Sequence, residues 1–275
     1  EGGQFFLSGT VVTEKISQKF LQIEKYMNEN KLVINGDKTH LIIVSKRNKR
    51  EEASKVLLNT GNDVIEQSDN EKLLGATIDG TGGWRMTIRD GDQSVTKQIT
   101  TRINGLKKIA VNADFKTKLK VATGIVQSKL QYLMSLFIGA PDYLIKALQV
   151  QQLNATRTVC GYDSYYWSTS KLLDKCKWLS VKQQMVASTL ILTHSIVKSA
   201  VPRKLHASFD LNHNYRTRQA TMGRIRFIDN SFTEKTFKFQ ARKYYNLIPG
   251  EIREKGQVQF KNGIKKWVKH NIPIR

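Results

Sequence analysis

The sequence predicts an α+β fold: a small hairpin-rich part with one helix, followed by a larger, mostly helical and basic part. Three observations carry this. Before residue 84, short β-rich runs alternate with Gly, Asn and Asp turn signals. After it, apolar residues recur at helical spacing over long stretches. The charge also changes: residues 1–80 hold 11 Lys and Arg against 12 Asp and Glu, and residues 81–275 hold 34 against 11.

Element by element, residues 4–7 read as a short strand ending at Ser8-Gly9. Residues 13–28 read as a helix, with Thr13 as N-cap and Ile16, Phe20, Ile23 and Met27 on one face. Asn35-Gly36-Asp37 is a turn signal. Residues 39–44 are β-rich and predict a strand. The runs 56–58 and 64–66 flank Asn59-Thr60-Gly61-Asn62-Asp63 and predict a hairpin. Residues 73–78 predict a strand in which Gly75 marks a bulge or a close backbone approach. The segment 79–84, DGTGGW, is a loop and a boundary of composition.

Helices dominate from there. The first is expected over 95–109. Asp114 caps the second, whose stripe Phe115, Leu119, Ala122, Val126, Leu130, Leu133 and Phe137 runs for six turns. Pro141 opens a third, to about Val159. A short piece follows at 171–174. Ser180 caps a long helix carrying Val181, Met185, Ser188, Leu192 and Ile196. Residues 206–231 are loop-like and basic. Two last helices carry Phe237, Ala241, Tyr244 and Ile248, then Phe260, Ile264, Trp267 and Val268.

At 275 residues and 40% apolar content the chain is long enough to bury a core. It has no apolar run of membrane-spanning length and no signal-peptide pattern at its start. Cys160 and Cys176 have no second pair, so a structural zinc site or disulfide framework is not expected; two reduced buried thiols in an intracellular protein are. The five histidines show no ligand spacing, and no phosphate-binding glycine loop or G-x-S-x-G nucleophile is present.

A net charge of +22 exceeds what solubility needs and suits a polyanion; nucleic acid is the commonest inside a cell. The basic residues are spread over several helices, which argues against a membrane anchor. Arg102, Lys107, Lys108, Lys116, Lys118, Lys120 and Lys129 lie off the apolar stripes and are expected to contact phosphates without reading sequence. In NYRTRQATMGRIRF, Arg216, Arg218, Arg224 and Arg226 alternate beside Tyr215 and Phe227, a pattern suited to phosphate pairing and base stacking. The run KRNKR at 46–50 is a candidate nuclear import signal.

The segment KYMNENKLVINGDKTHLIIV at 25–44 resembles the stretch that follows the catalytic loop in reverse transcriptases of non-LTR (LINE-like) retrotransposons. Met27, Asn30, Leu32, Asn35, Lys38 and Thr39 stand at the motif positions. NEKLLGATIDGTGGW at 70–84 resembles that family's primer-holding hairpin. DFKTKLKVATGIVQSKLQYLMSLFIGA resembles a thumb helix, LQVQQLNATRTVCG the helix beyond it, and WLSVKQQM, YRTRQA, ARKYYNLIPGEIRE and FKNGIKKWV the tail of the same reading frame.

The resemblance implies a partial palm over 1–84, a thumb-like region over 85–160 and a basic helical region over 161–275. It implies that Lys38 serves as a cation near the leaving pyrophosphate, and that Leu73, Leu74 and Gly75 form the strand supporting the primer. It implies an RNA template, or RNA–DNA hybrid with primer DNA, as partner, and Mg²⁺ as the parent enzyme's cofactor. Polymerisation needs three metal-binding carboxylates. By the same alignment Glu1 falls at the catalytic Asp-Asp pair, as a drifted metal ligand at most. Asp79 is explained by its Asp-Gly turn and is not expected to bind metal. The chain by itself is therefore expected to bind nucleic acid, to carry no cofactor and not to polymerise. The alternative is a basic helical module used by a host to bind nucleic acid or protein.

Overall fold

Residues 9–44, 57–60, 63–209, 225, 234 and 236–274 are described by a computed structural model of the chain. The strand expected at 4–7, Glu1 and the basic run at 46–50 lie outside them. So do Arg216, Arg218, Arg224 and Arg226. The chain divides into two compact units, 1–91 and 92–275.

The first unit opens with α1 (Gly9–Glu29), which starts a turn earlier than expected and so places Thr13 inside the helix rather than at its cap. Phe20 is buried with Leu58 and Ile65, and Ile16, Ile34 and Leu41 pack against them. Ile23, expected on the same face, is 54% exposed, because this small core is filled at the level of Phe20. After α1 a single 3-10 turn covers Gly36–Lys38; the Asn35 side chain accepts the Lys38 N–H at 3.1 Å, as an Asx turn does.

Two hairpins follow. β1 (Leu57–Thr60) and β2 (Asp63–Glu66) pair antiparallel, with Leu58 opposite Ile65. β3 (Asn70–Leu73) and β4 (Ala76–Asp79) pair with Leu73 opposite Ala76. The expected strand through Gly75 is therefore corrected. Leu74 and Gly75 are the two residues of a tight turn, at φ 49° and 81°. Positive φ at both positions matches the twist of the flanking strands, and glycine adopts it without steric cost. The strand expected at 39–44 is also corrected. Its ladder contact among the described residues is one bridge, Leu41 to Gln67, with Ser68 N–H donating to the Leu41 carbonyl at 2.8 Å. β-branched residues favour strands only where a neighbour offers a ladder.

The second unit is helical. Its described helices begin with α2 (Val95–Ala110), α3 (Phe115–Ala122), the short α4 (Ser128–Gln131) and α5 (Asp142–Cys160). They continue with α6 (Thr169–Cys176), α7 (Val181–Ser199) and α8 (Arg203–Ser208). The last are α9 (Phe237–Leu247), α10 (Gly250–Arg253) and α11 (Gln257–Asn271). α2 packs on α5, and α5 on α6; α7 packs on α9 and α11.

Asp114 caps α3 as expected, accepting the Thr117 N–H at 3.3 Å. The six-turn stripe after it is not one helix. A π turn covers Thr123–Gln127, Tyr132 is extended, and Leu133 is left-handed at φ 64°. A π turn holds one residue more than an α turn, so the phase slips. Met134, not Leu133, then becomes buried, beside Phe137 and Ile138.

α7 is the centre of this unit. Ser180 closes a capping box with Gln183 at its start. The Gln183 amide also donates to the Ile272 carbonyl at 2.9 Å, tying the start of α7 to the end of α11. Val181, Met185, Leu190, Thr193 and Ile196 are buried around the helix, while Leu192, expected in the core, is 38% exposed. Gln149 accepts the Val181 N–H, and Gln152 donates to the Leu179 carbonyl, both at 2.9 Å. Buried amides thus satisfy the backbone where α5 meets the entry to α7.

His194, also on α7, is fully buried. Its ring stacks on Phe260 at 3.8 Å with the planes 2° apart. Nε2 lies 3.1 Å from the Lys255 carbonyl and Nδ1 3.3 Å from the Tyr245 hydroxyl. The carbonyl can only accept, so the neutral ring donates from Nε2 and accepts at Nδ1. Burial pushes His194 below the ordinary histidine range. The unfolded chain therefore takes up this proton more readily. The stability it contributes is present above a pH of about 6.5 and is lost as the pH falls through that value towards the folded one. A melting temperature that falls between about pH 7.5 and 5 is expected, with a flatter profile in His194→Phe. Equal slopes in the two proteins would contradict it.

Cys160 and Cys176 are free thiols with their sulfurs 3.9 Å apart. Burial raises both, Cys176 to about 12. Both are protonated near neutral pH and are weak nucleophiles there. No helix among the described residues is long and apolar enough to cross a membrane.

Candidate nucleic-acid interface

The two units divide the charge sharply. Residues 1–91 carry 13 Lys and Arg against 13 Asp and Glu; residues 92–275 carry 32 against 10. α2, α3, α7, α9 and α11 contain no acidic residue.

The expected lysines gather around the turn from α2 to α3. Lys107 and Lys108 occupy the last turn of α2 and are exposed. Eight residues after Lys108, Lys116 stands in the first turn of α3, exposed, with Lys118 half-buried and Lys120 exposed behind it. A cation at a helix C-terminus is favoured by the macrodipole, so Lys107 and Lys108 have a local reason to be there. Lys116 and Lys118 do not: they sit at the positive end of α3, where each costs about 0.3–1 kcal/mol at an exposed site. Among the described residues no carboxylate pairs with these five lysines, in contrast to Lys97 with Asp92 and Lys269 with Asp174. Lys129 is half-buried, its ammonium 5.6 Å from the Tyr132 ring centre.

Arg102 makes a contact within the fold. Its Nη1 donates to the Ile125 carbonyl at 2.6 Å, inside the π turn that follows α3. The shifted bonding of a π turn leaves a carbonyl in need of a donor, and Arg102 supplies it. Arg102→Met should leave nucleic-acid affinity within about twofold and cost roughly 1–3 kcal/mol of stability, read from the urea midpoint. A tenfold affinity loss at unchanged stability would instead place Arg102 among the phosphate-contacting residues.

In the first unit Lys38 is exposed on its 3-10 turn. Two residues on, His40 Nδ1 lies 3.5 Å from Glu71 Oε1 on β3. Leu73 and Leu74 are exposed at the tip of the β3–β4 hairpin, 59% and 82%. The described residues do not fit a Mg²⁺ centre. Asp79 Oδ1 already accepts the Thr81 and Gly83 N–H groups at 2.9 and 3.0 Å, together with the Thr81 hydroxyl. No three His, Cys, Asp or Glu side chains among the described residues form a group able to hold a metal ion.

No family model, no curated protein and no solved structure matches the chain.

Two features were not singled out in the sequence. The outer face of α11 carries Lys261, Lys265 and Lys266, all exposed; their spacing on a helix without acids was the available signal. The stretch GYDSYYW after α5 concentrates exposed aromatics, and its signal was aromatic density beside Arg157 and Lys171. Of the basic stretch 214–227, the described residue is Ile225. It is buried, with its N–H donating to the Asn246 amide oxygen at 2.9 Å and its carbonyl accepting from that amide at 2.8 Å.

Proposed function

We propose that the chain binds RNA, or an RNA–DNA hybrid with its primer, without reading sequence, as the gripping part of a machinery like that of non-LTR retrotransposon reverse transcriptases. The observation that carries this is the placement of Lys116 and Lys118 at the start of α3, just after the Asp114 cap, beside Lys107 and Lys108, with no carboxylate in an ion pair with any of the four among the described residues. Lysines that a helix does not need and that no acid neutralises suit a polyanion outside the protein. Neutralising phosphates releases condensed counterions, which supplies affinity without base contacts. The family resemblance of the motifs supplies the kind of nucleic acid.

Polymerisation lies outside the proposal, since by the resemblance the family's catalytic Asp-Asp pair falls at Glu1, outside the described residues. Two measurements test the reading. Binding to RNA, DNA and hybrid duplexes of equal length is expected at low salt, and absence of measurable affinity would remove it. Extension of an annealed primer by the purified chain with Mg²⁺ is not expected, and its observation would overturn the non-polymerising part.

A further inference from the structure

We infer that the segment Tyr162–Tyr166 with Trp167 is a stacking platform for the bases of an unpaired nucleic-acid strand, an inference that rests on the nucleic-acid reading above and names the form bound. α5 ends at Gly161, whose φ of 89° turns the chain into a 3-10 helix over Tyr162–Tyr166. Ser164 is fully buried within it, and its hydroxyl hydrogen-bonds to the Gly161 carbonyl, with the Arg157 carbonyl 3.3 Å away. A 3-10 helix has three residues per turn, so pinning Ser164 inward turns Tyr162 and Tyr165 outward together, with Tyr166 beside them.

The result is three tyrosines that are 78%, 63% and 85% exposed within five residues. The rings of Tyr162 and Tyr165 lie 6.0 Å apart, centre to centre. Cations flank them. The Arg157 guanidinium lies 6.0 Å from the Tyr165 ring centre, and the Lys171 ammonium 4.4 Å from that of Trp167. Lys171 and Trp167 also line an open groove of about 530 Å³ beside the platform. Asp174, on the groove, is taken up by Lys269 at 2.8 Å.

Rings this exposed invite a flat, apolar partner surface, and the neighbouring Arg157, Lys171 and Lys175, against the one exposed carboxylate of the turn, Asp163, favour an anionic partner. An unpaired strand offers both, with base faces for the rings and phosphates for Arg157, Lys171 and Lys175. A duplex does not, since its base faces are already stacked on one another. The surface therefore discriminates single strands from duplexes, while the α2–α3 lysines bind either.

The test uses the full chain, the alanine triple Tyr162→Ala, Tyr165→Ala, Tyr166→Ala, and the matching phenylalanine triple. Each is titrated into labelled single-stranded RNA, single-stranded DNA and blunt duplex of about 20 nucleotides, long enough to cover one stacking groove. A 2-aminopurine base in the single strands reports stacking by quenching. The alanine triple should lose at least about tenfold in affinity for both single strands, lose the quenching and bind duplex unchanged. The phenylalanine triple should stay within about twofold of the parent, because its rings still stack. If the alanine triple is not folded by circular dichroism, Tyr166→Ala alone, at the most exposed ring, serves in its place. Retention of single-strand affinity and quenching in the alanine protein overturns the platform and leaves the nucleic-acid reading standing. Failure of the parent chain to bind any of the three at low salt overturns that reading, and the platform with it. Loss for RNA alone, with DNA unchanged, also overturns it, since stacking does not distinguish the sugars.

Discussion

Replacing Lys107, Lys108, Lys116, Lys118 and Lys120 together by Gln is expected to weaken RNA binding by about 10²–10³-fold at physiological salt. Each phosphate contact contributes about 0.7–0.9 to the slope of log K against log salt, so losing five flattens that slope by about 3.5–4.5. The same change should not harm the fold. Three of the five lie on α3, where Lys116 and Lys118 face the positive end of the helix dipole. Removing those two charges is worth about 0.3–1 kcal/mol each in favour of the helix. A lower affinity with an equal or higher melting temperature is the combined signature, and a merely structural role for these lysines cannot produce it. Unchanged affinity, or a loss that tracks unfolding, would contradict the assignment.

Phe260→Ala is expected to cost about 3–5 kcal/mol, the usual range for emptying a fully buried aromatic site. Against a typical stability of 5–15 kcal/mol that is a large fraction. Phe260 is fully buried on α11, and its ring is the face on which His194 of α7 stacks at 3.8 Å. Truncation therefore loosens the contact between the two helices at His194. It also opens space beside His194, which eases protonation of the ring. The acid sensitivity described for the parent chain should shrink in this variant. The urea midpoint at neutral pH and the melting temperature across pH 5–7.5 read both effects. A loss below about 1 kcal/mol would show that the site collapses or is wet.

Much of the second unit was legible from local sequence. The caps at Asp114 and Ser180, the opening of α5 after Pro141 and the extent of α2 depend on residues within one turn of each other. The hairpin around Asn59–Asp63 was legible for the same reason, since its turn residues announce it. The misses depend on distant partners. A strand at 39–44 needed a neighbour to pair with, and one bridge to Gln67 was what the fold supplied. Gly75 was read as a strand glycine because Leu73 and Leu74 continue an apolar run. Its positive φ places it in the turn.

The interface divides the same way. Lysines off an apolar stripe are visible in sequence, and around the α2–α3 turn Lys107, Lys108, Lys116 and Lys120 are exposed while Lys118 is half-buried. Arg102 looks the same on paper. Its role depends on a π turn 23 residues away. His194 carried no signal at all, since Tyr245 and Lys255 lie 51 and 61 residues along the chain. Tyr162, Tyr165 and Tyr166 are visible as aromatics, but their exposure follows from the buried Ser164, which sequence does not distinguish from any other serine.

The central claim is that the unit carrying 32 Lys and Arg against 10 Asp and Glu holds a nucleic acid by its phosphates. The dependence of RNA affinity on salt, measured with the full chain from about 50 to 200 mM, tests it most directly. A straight line of log K against log salt with a slope of about −3.5 or steeper is the expected result. A slope near zero, or no binding at the lowest salt, would contradict it.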